Sequence, residues 1–311
     1  MKKIVVFFFI VIALLASAYF IIPAQITVFN SIRVPVNLDG AFRNISVEKN
    51  WRKWWPEKTD TLSKSMLTLG NYQFSIQQVL YNAMAIGIQK GSVTDSSHLQ
   101  FLAIGKDSVQ IIWSTNISTG SNPVSRVSQY LHAVAIRKQT GVILTAMLAY
   151  LKPSQNLYGI EIKKEKVAIE FMVTTSALLE HYPTTPEIYT MVNALREYIA
   201  SQHGETESFP MLNIVMLDSF HYKANVAMPI KHKIAEHKPY AVKAMFKGGN
   251  ILVANISGDN KKIEAGIKSF NQYMADYQKI MMAMPFQLLL TDRTLEPDST
   301  KWITQLYYPV N

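Results

Sequence analysis

A carboxylate inside an apolar run is the first feature with chemical potential: Glu170 sits in VAIEFMV, flanked by Ile169 and Phe171. A carboxyl group held among apolar side chains resists ionisation, which raises its proton affinity and suits it to act as a general base. Alternation offers a competing reading, because it puts Glu170 on one strand face with Lys166 and Ala168, pointing at solvent. The seven histidines (His98, His132, His181, His203, His221, His232 and His237) form neither H-x-x-x-H nor H-E-x-x-H, so no metal is expected. Cysteine is absent, which excludes thiolate ligands, a cysteine nucleophile and disulfides. No G-x-S-x-G, P-loop or G-x-G-x-x-G pattern occurs, Gly248-Gly249 reads as a turn, and no cofactor is expected. Trp51, Trp54 and Trp55 would stack a ligand or, more commonly for such a cluster, seal one end of a core.

Composition bounds the elements that must position these residues. With 311 residues, 49% of them hydrophobic and 17% charged, the chain is long enough for two globular domains and a targeting segment. The formal net charge is +9, but the lysines are scattered apart from a cluster between Lys231 and Lys247. No nucleic-acid motif accompanies them, so no nucleic-acid partner is expected.

Residues 1–25 read as a transmembrane anchor. Lys2 and Lys3 precede an uncharged run from Ile4 to Ile22 that Pro23 ends, a length that just spans a bilayer core as a helix. With the lysines inside, the body would be extracytoplasmic, on a bacterial inner membrane. The alternative is a cleaved signal peptide with Ala16-Ser17-Ala18 as its cleavage site, leaving a periplasmic or secreted protein. Against cleavage, Tyr19 to Ile22 continue the apolar run past that site.

Residues 26–152 form the expected first domain. Ile26 to Pro35 reads as a strand and Leu38 to Lys49 as short helical turns leading to the tryptophans. Tyr72–Leu80, Ala83–Gln89, Leu99–Ile104 and Val109–Trp113 alternate with turns between them, as an antiparallel meander does. From Val124 to Leu151 the period changes, and Val127, Leu131, Val134, Ile143, Met147 and Tyr150 suit one face of a long helix with Pro123 in its first turn. This order, with its W-x-x-W-W-P motif, resembles the START-like (polyketide cyclase/SRPBCC) helix-grip domain. The resemblance implies a curved sheet wrapped on a long helix around an apolar, ligand-binding cavity.

Residues 158–311 read as strand, helix, strand, strand, twice, with copies at about 160–230 and 240–311. Ile188, Val192, Leu195, Tyr198 and Ile199 recur 75 positions later as Ile263, Ile267, Phe270, Tyr273 and Met274, and Pro210 recurs as Pro285. Thr185, and Asp259 or Asn260, are the expected helix caps. The final strand, KWITQLYYPVN, alternates and stops at Pro309, as HYKANVAMPI does at Pro229. Two such units ending in W-x-T-x-L-Y-Y-P-V resemble the GyrI-like, or AraC-type effector-binding, domain, in which small cationic or aromatic molecules bind in a groove. The family's multidrug-sensing members carry a glutamate where this chain has Gln305, with Asn225 as its repeat counterpart, so cation binding loses its electrostatic partner. Some relatives are hydrolases, which would give Glu170 a catalytic role beside Trp302, Tyr308 and Tyr222.

The expected fold class is thus α+β: an N-terminal transmembrane helix, a helix-grip START-like domain and a duplicated β-α-β-β GyrI-like domain. The expected function is non-catalytic binding of a small hydrophobic or aromatic ligand by a membrane-anchored protein. The expected ligand-binding residues are Trp302, Gln305, Tyr307, Tyr308, Tyr222 and Glu170. The competing functions are a hydrolase using Glu170 and a structural or partner-binding envelope protein.

Overall fold

The computed structural model describes residues 6, 10, 17, 19–57 and 67–311. Among them no helix is long and apolar enough to cross a membrane, whereas a bilayer core demands about 20 apolar residues in one helix. The expected transmembrane helix, most of whose Ile4–Ile22 span lies outside the described residues, and the membrane-anchored placement built on it are corrected accordingly. The chain is instead organised by two antiparallel sheets, and its contacts divide it into Met1–Leu157 and Tyr158–Asn311.

In the first unit, β1 (Gln25–Val34) is followed by α1 (Leu38–Ile45) and α2 (Glu48–Trp51). Then come β2 (Leu67–Leu69), β3 (Tyr72–Leu80), β4 (Ala83–Lys90), β5 (Val93–Ala103), β6 (Val109–Ser118) and α3 (Pro123–Leu151). The sheet order is β1-β6-β5-β4-β3-β2. Asn122 caps α3 by accepting from the Val124 N–H, and Pro123 occupies the first turn, where its missing N–H costs nothing. Ile136, Ile143, Leu144 and Met147 of α3 are fully buried, but Leu131 and Val134 are exposed, contrary to the single apolar face expected. The alternation of β6 sets Ile111, Trp113 and Ile117 into the same core. Trp51, Trp54 and Trp55 are buried against one another, and Trp55 also meets Phe74. That arrangement closes one end of the core.

The second unit contains β7 (Lys163–Lys166), β8 (Phe171–Leu179), α4 (Thr185–Ser201), β9 (Met211–Met216) and β10 (Tyr222–Ile230). The chain continues through β11 (Ala241–Ala244), β12 (Asn250–Ser257), α5 (Asn260–Asp276), β13 (Phe286–Leu289) and β14 (Ile303–Pro309). Both helices are 17 residues long and begin 75 positions apart. Thr184, one residue before the expected Thr185, caps α4 in a reciprocal box with Glu187, and Asp259 caps α5.

All eight strands form one sheet in the order β11-β8-β10-β9-β13-β14-β12-β7, so β9 and β13 meet at the centre of a pseudo-twofold arrangement. The two copies also pair at the sheet edges. β7, the first strand of the first copy, pairs with β12 of the second, while β11 of the second pairs with β8 of the first. The short connections β7–β8 and β11–β12 run beside one another between these two ladders: Val167 N–H donates to Gly249 O and Gly248 N–H to Val167 O, both 2.9 Å, and Met245 N–H to Glu170 O, 2.8 Å. The strand expected over Lys166–Thr175 is broken, with Val167–Glu170 in the β7–β8 connection.

Candidate ligand-binding site

Each strand of the second sheet offers one row of side chains to the helices and the other to the opposite face. On the helix face, α4 packs on Val173, Leu212, Val226, Met228 and Ile230, and α5 on Leu252, Ala254, Ile256, Leu306 and Tyr308. The other face carries a smaller apolar cluster, Val167, Ile251 and Val253 with Met245, Phe286 and Tyr307. Beside it lies a cavity of about 870 Å³, within the roughly 300–1,000 Å³ of small-molecule sites.

The cavity floor comes from β9 and β10. Asn213 and Asn225 stand directly opposite one another in the ladder, and both line the cavity with Met211 and Ala227. The Asn225 amide donates to Asn213 Oδ1 at 3.1 Å, and Asn213 donates to the Pro285 carbonyl at 2.7 Å. That chain fixes both side chains, since each amide donor has a set acceptor. The β7–β8 and β11–β12 connections bound the cavity through Val167, Met245 and Phe246, the segment before β13 adds Met282 and Met284, and β13 itself adds Phe286. The arrangement sets a polar amide pair among methionine and phenylalanine side chains, which orients a molecule by hydrogen bonding.

The six residues expected to bind ligand are dispersed, and none of them lines this cavity. Tyr308 is buried under α5 and stacks on Phe270, and burial pushes its hydroxyl up to about 12. Tyr307 faces the other way and stacks on Phe286, which carries it to the cavity edge. Burial, then the Glu165 charge, raise the Tyr307 hydroxyl as well. Gln305 is half-buried, opposite Asn255 and Leu288 in the ladders.

Trp302 belongs to a separate cluster. Its ring lies 4.7 Å from the guanidinium of the buried Arg293, and its indole N–H donates to Glu296 O at 2.8 Å. Arg293 Nη2 donates to Thr304 Oγ1 at 2.9 Å, and burial lowers the proton affinity of the guanidinium. Tyr222 meets Tyr182 edge-on, with ring centroids 5.8 Å apart. Glu170 is exposed in the β7–β8 connection and lies 3.2 Å from Lys247. Among the described residues it makes no hydrogen bond to Trp302, Tyr308 or Tyr222, and no His, Asp and Glu cluster suited to a metal occurs.

Sequence reasoning missed Asn213, Met211 and the apolar lip. Asn225 stood out only as the repeat counterpart of Gln305. A readable signal for the lip was present in Met281-Met282-Ala283-Met284, since unbranched thioethers suit adaptable binding surfaces.

No family model matches the chain, and no curated protein matches it. Among solved structures it is similar to the C-terminal domain of EcmrR, at 8% identity over 49% of this chain and 98% of that one, with a TM-score of 0.39. It is also similar to SAV2435 bound to tetraphenylphosphonium (16% identity, 49% and 94% covered, TM-score 0.30). A hydrolase from Listeria innocua is a third (14% identity, 48% and 92% covered, TM-score 0.36). These neighbours are of the GyrI-like, effector-binding type. The START-like reading of the first unit gains no support from the comparisons.

Proposed function

We propose that the second unit binds a small, largely apolar molecule in the cavity on the sheet face opposite its helices. The observation that carries this reading is the cavity itself: about 870 Å³ bounded by methionine and phenylalanine side chains around the Asn213–Asn225 pair. An apolar recess with a few convergent polar groups gains affinity from area removed from water and orientation from the amides. Catalysis lacks a comparable arrangement, because Glu170 faces solvent beside Lys247 and shares no hydrogen bond with the proposed aromatic partners.

Ala227 lines the cavity from β10, so Ala227→Trp tests the proposal by filling the recess. A fluorescent apolar probe titrated into wild type is expected to saturate at about one equivalent and to lose its affinity for the variant. Equal binding by both proteins would place the probe elsewhere and sink the reading.

A further inference from the structure

The charged side chains of the cavity lining are of one sign only. Lys166, Lys223 and Lys243 contribute to it, and neither Asp nor Glu does. Among the described residues none of the three lysines pairs with a carboxylate; the partner of Lys166 Nζ is the neutral Asn250 Oδ1, at 3.0 Å. The floor amides of Asn213 and Asn225 are neutral too. A cation in this recess would face three ammonium groups with no carboxylate side chain in the lining, whereas an anion gains attraction without any existing ion pair having to break.

The lysines are not equivalent. Lys223 pairs with Leu178 near the end of β8 and Lys243 with Met172 near its start, six residues earlier, so they stand apart along the groove. Lys166 and Lys243 adjoin the β7–β8 and β11–β12 connections, immediately before Val167 and two residues before Met245. Between the ends lie Met172, Met211, Met282 and Met284, flexible side chains that mould to an aliphatic or aromatic body. Phe246, Met282 and Met284 are 85%, 66% and 56% exposed, and an apolar occupant would cover this rim.

We infer that the cavity takes a small amphiphile with a single anionic head, carboxylate or phosphate, whose head lies on the side of the groove that Lys166 and Lys243 flank and whose apolar body lies along the methionines. This inference rests on the cavity being a binding site, as proposed above, and adds the charge of what it binds.

Calorimetric titration of the full chain with octanoate, octanol and octyltrimethylammonium separates charge from apolar area. Octanoate is expected to bind at least about tenfold more tightly than octyltrimethylammonium, with the difference shrinking as salt screens the lysines. The double variant Lys166→Glu/Lys243→Glu is expected to reverse that order while changing octanol affinity by less than about twofold, and Lys223→Glu to have the smaller effect. All three lysines are exposed, and thermal melts would verify that the variants fold. Equal or tighter binding of the cation by wild type would overturn the inference, as would unchanged octanoate affinity in the double variant. If octanol and the cation bind equally well while Ala227→Trp abolishes both, charge selection fails and the binding site stands. If no compound binds wild type, the binding site itself fails.

Discussion

Tyr307 and Tyr308 are consecutive in the chain, and their rings lie on opposite faces of one sheet. Tyr308 stacks on Phe270 of α5, with centroids 4.5 Å apart and planes 5° from parallel, while Tyr307 stacks on Phe286 at 5.0 Å and 12°. The first pair belongs to the hydrophobic core and the second to the cavity edge. Strand alternation makes this separation unavoidable.

Tyr308 gives the fold a dependence on alkaline pH. Its hydroxyl is pushed up to about 12 by burial, whereas an unfolded tyrosine ionises near about 10. Between those values the folded state holds a proton that the unfolded state has lost, so stability falls as pH rises. The contribution is fully present below the unfolded value and gone above the folded one, at most about 3 kcal/mol. Tyr308→Phe should flatten this part of the curve of stability against pH. An unchanged slope in denaturant titrations of the variant would assign the alkaline loss to another group.

Trp302 should matter to stability and not to the cavity. Its ring covers the Arg293 guanidinium, which is 6% exposed and whose partner in the side-chain network is Thr304. Trp302→Ala strips that cover from a buried charge, which is costly even where the ring itself is half-buried. The loss should be measurable but below the about 3–5 kcal/mol of a fully buried Trp→Ala. Because Trp302 is absent from the cavity lining, probe affinity should stay within about twofold of wild type, roughly 0.4 kcal/mol. A selective loss of binding at unchanged melting temperature would put the ligand beside Arg293.

Part of this organisation was legible in the residues. Helical periodicity marked Ile188, Val192, Leu195 and Ile199 as a buried stripe, and the same spacing at Ile263 and Phe270 disclosed the second helix. The cavity was not legible, for two physical reasons. Alternation separates Tyr307 from Tyr308 but does not say which face the helices cover, so both rings looked available to a ligand. The edge pairings between the copies are short: β7 reads Lys-Lys-Glu-Lys, is exposed throughout, and carries no apolar pattern to announce its partner. The strand expected through Glu170 is interrupted between β7 and β8, and a residue flanked by Ile169 and Phe171 ends beside Lys247 in solvent.

The cap of α4 should set an acid dependence. The Glu187 carboxyl is held below its usual range by the Thr184 hydroxyl first and the Thr184 backbone N–H second, with His181 adding to the effect. A depressed folded value stabilises above the unfolded carboxylate range, and the contribution is lost as pH falls through the folded value. Thr184→Ala removes the hydroxyl and the reciprocal cap. It should lower Tm by about 2–4 °C near neutrality and shrink the acid-side decline in stability. An acid limb identical to that of wild type would show that Glu187 does not drive it.

Gly266 decides how closely α5 sits on its strands. A Cβ added there would lie 2.8 Å from Ile256 Cδ1, 3.0 Å from Ile256 Cγ1 and 3.4 Å from Leu306 Cδ1. Two effects oppose one another in Gly266→Ala. Alanine favours the helix by about 1 kcal/mol over glycine, while overpacking a tight core costs about 1–3 kcal/mol. The Ile256 terminus can rotate away, but its Cγ1 moves only with a change of χ1, which a β-branched side chain in a packed strand resists. The clash should therefore win, with a net loss of about 1 kcal/mol. Pairing the substitution with Ile256→Val removes the nearest atom, so the double variant should lose less than the sum of the two single losses. Denaturant unfolding of all four proteins measures that coupling, and strict additivity would mean that the close approach at Gly266 imposes no strain.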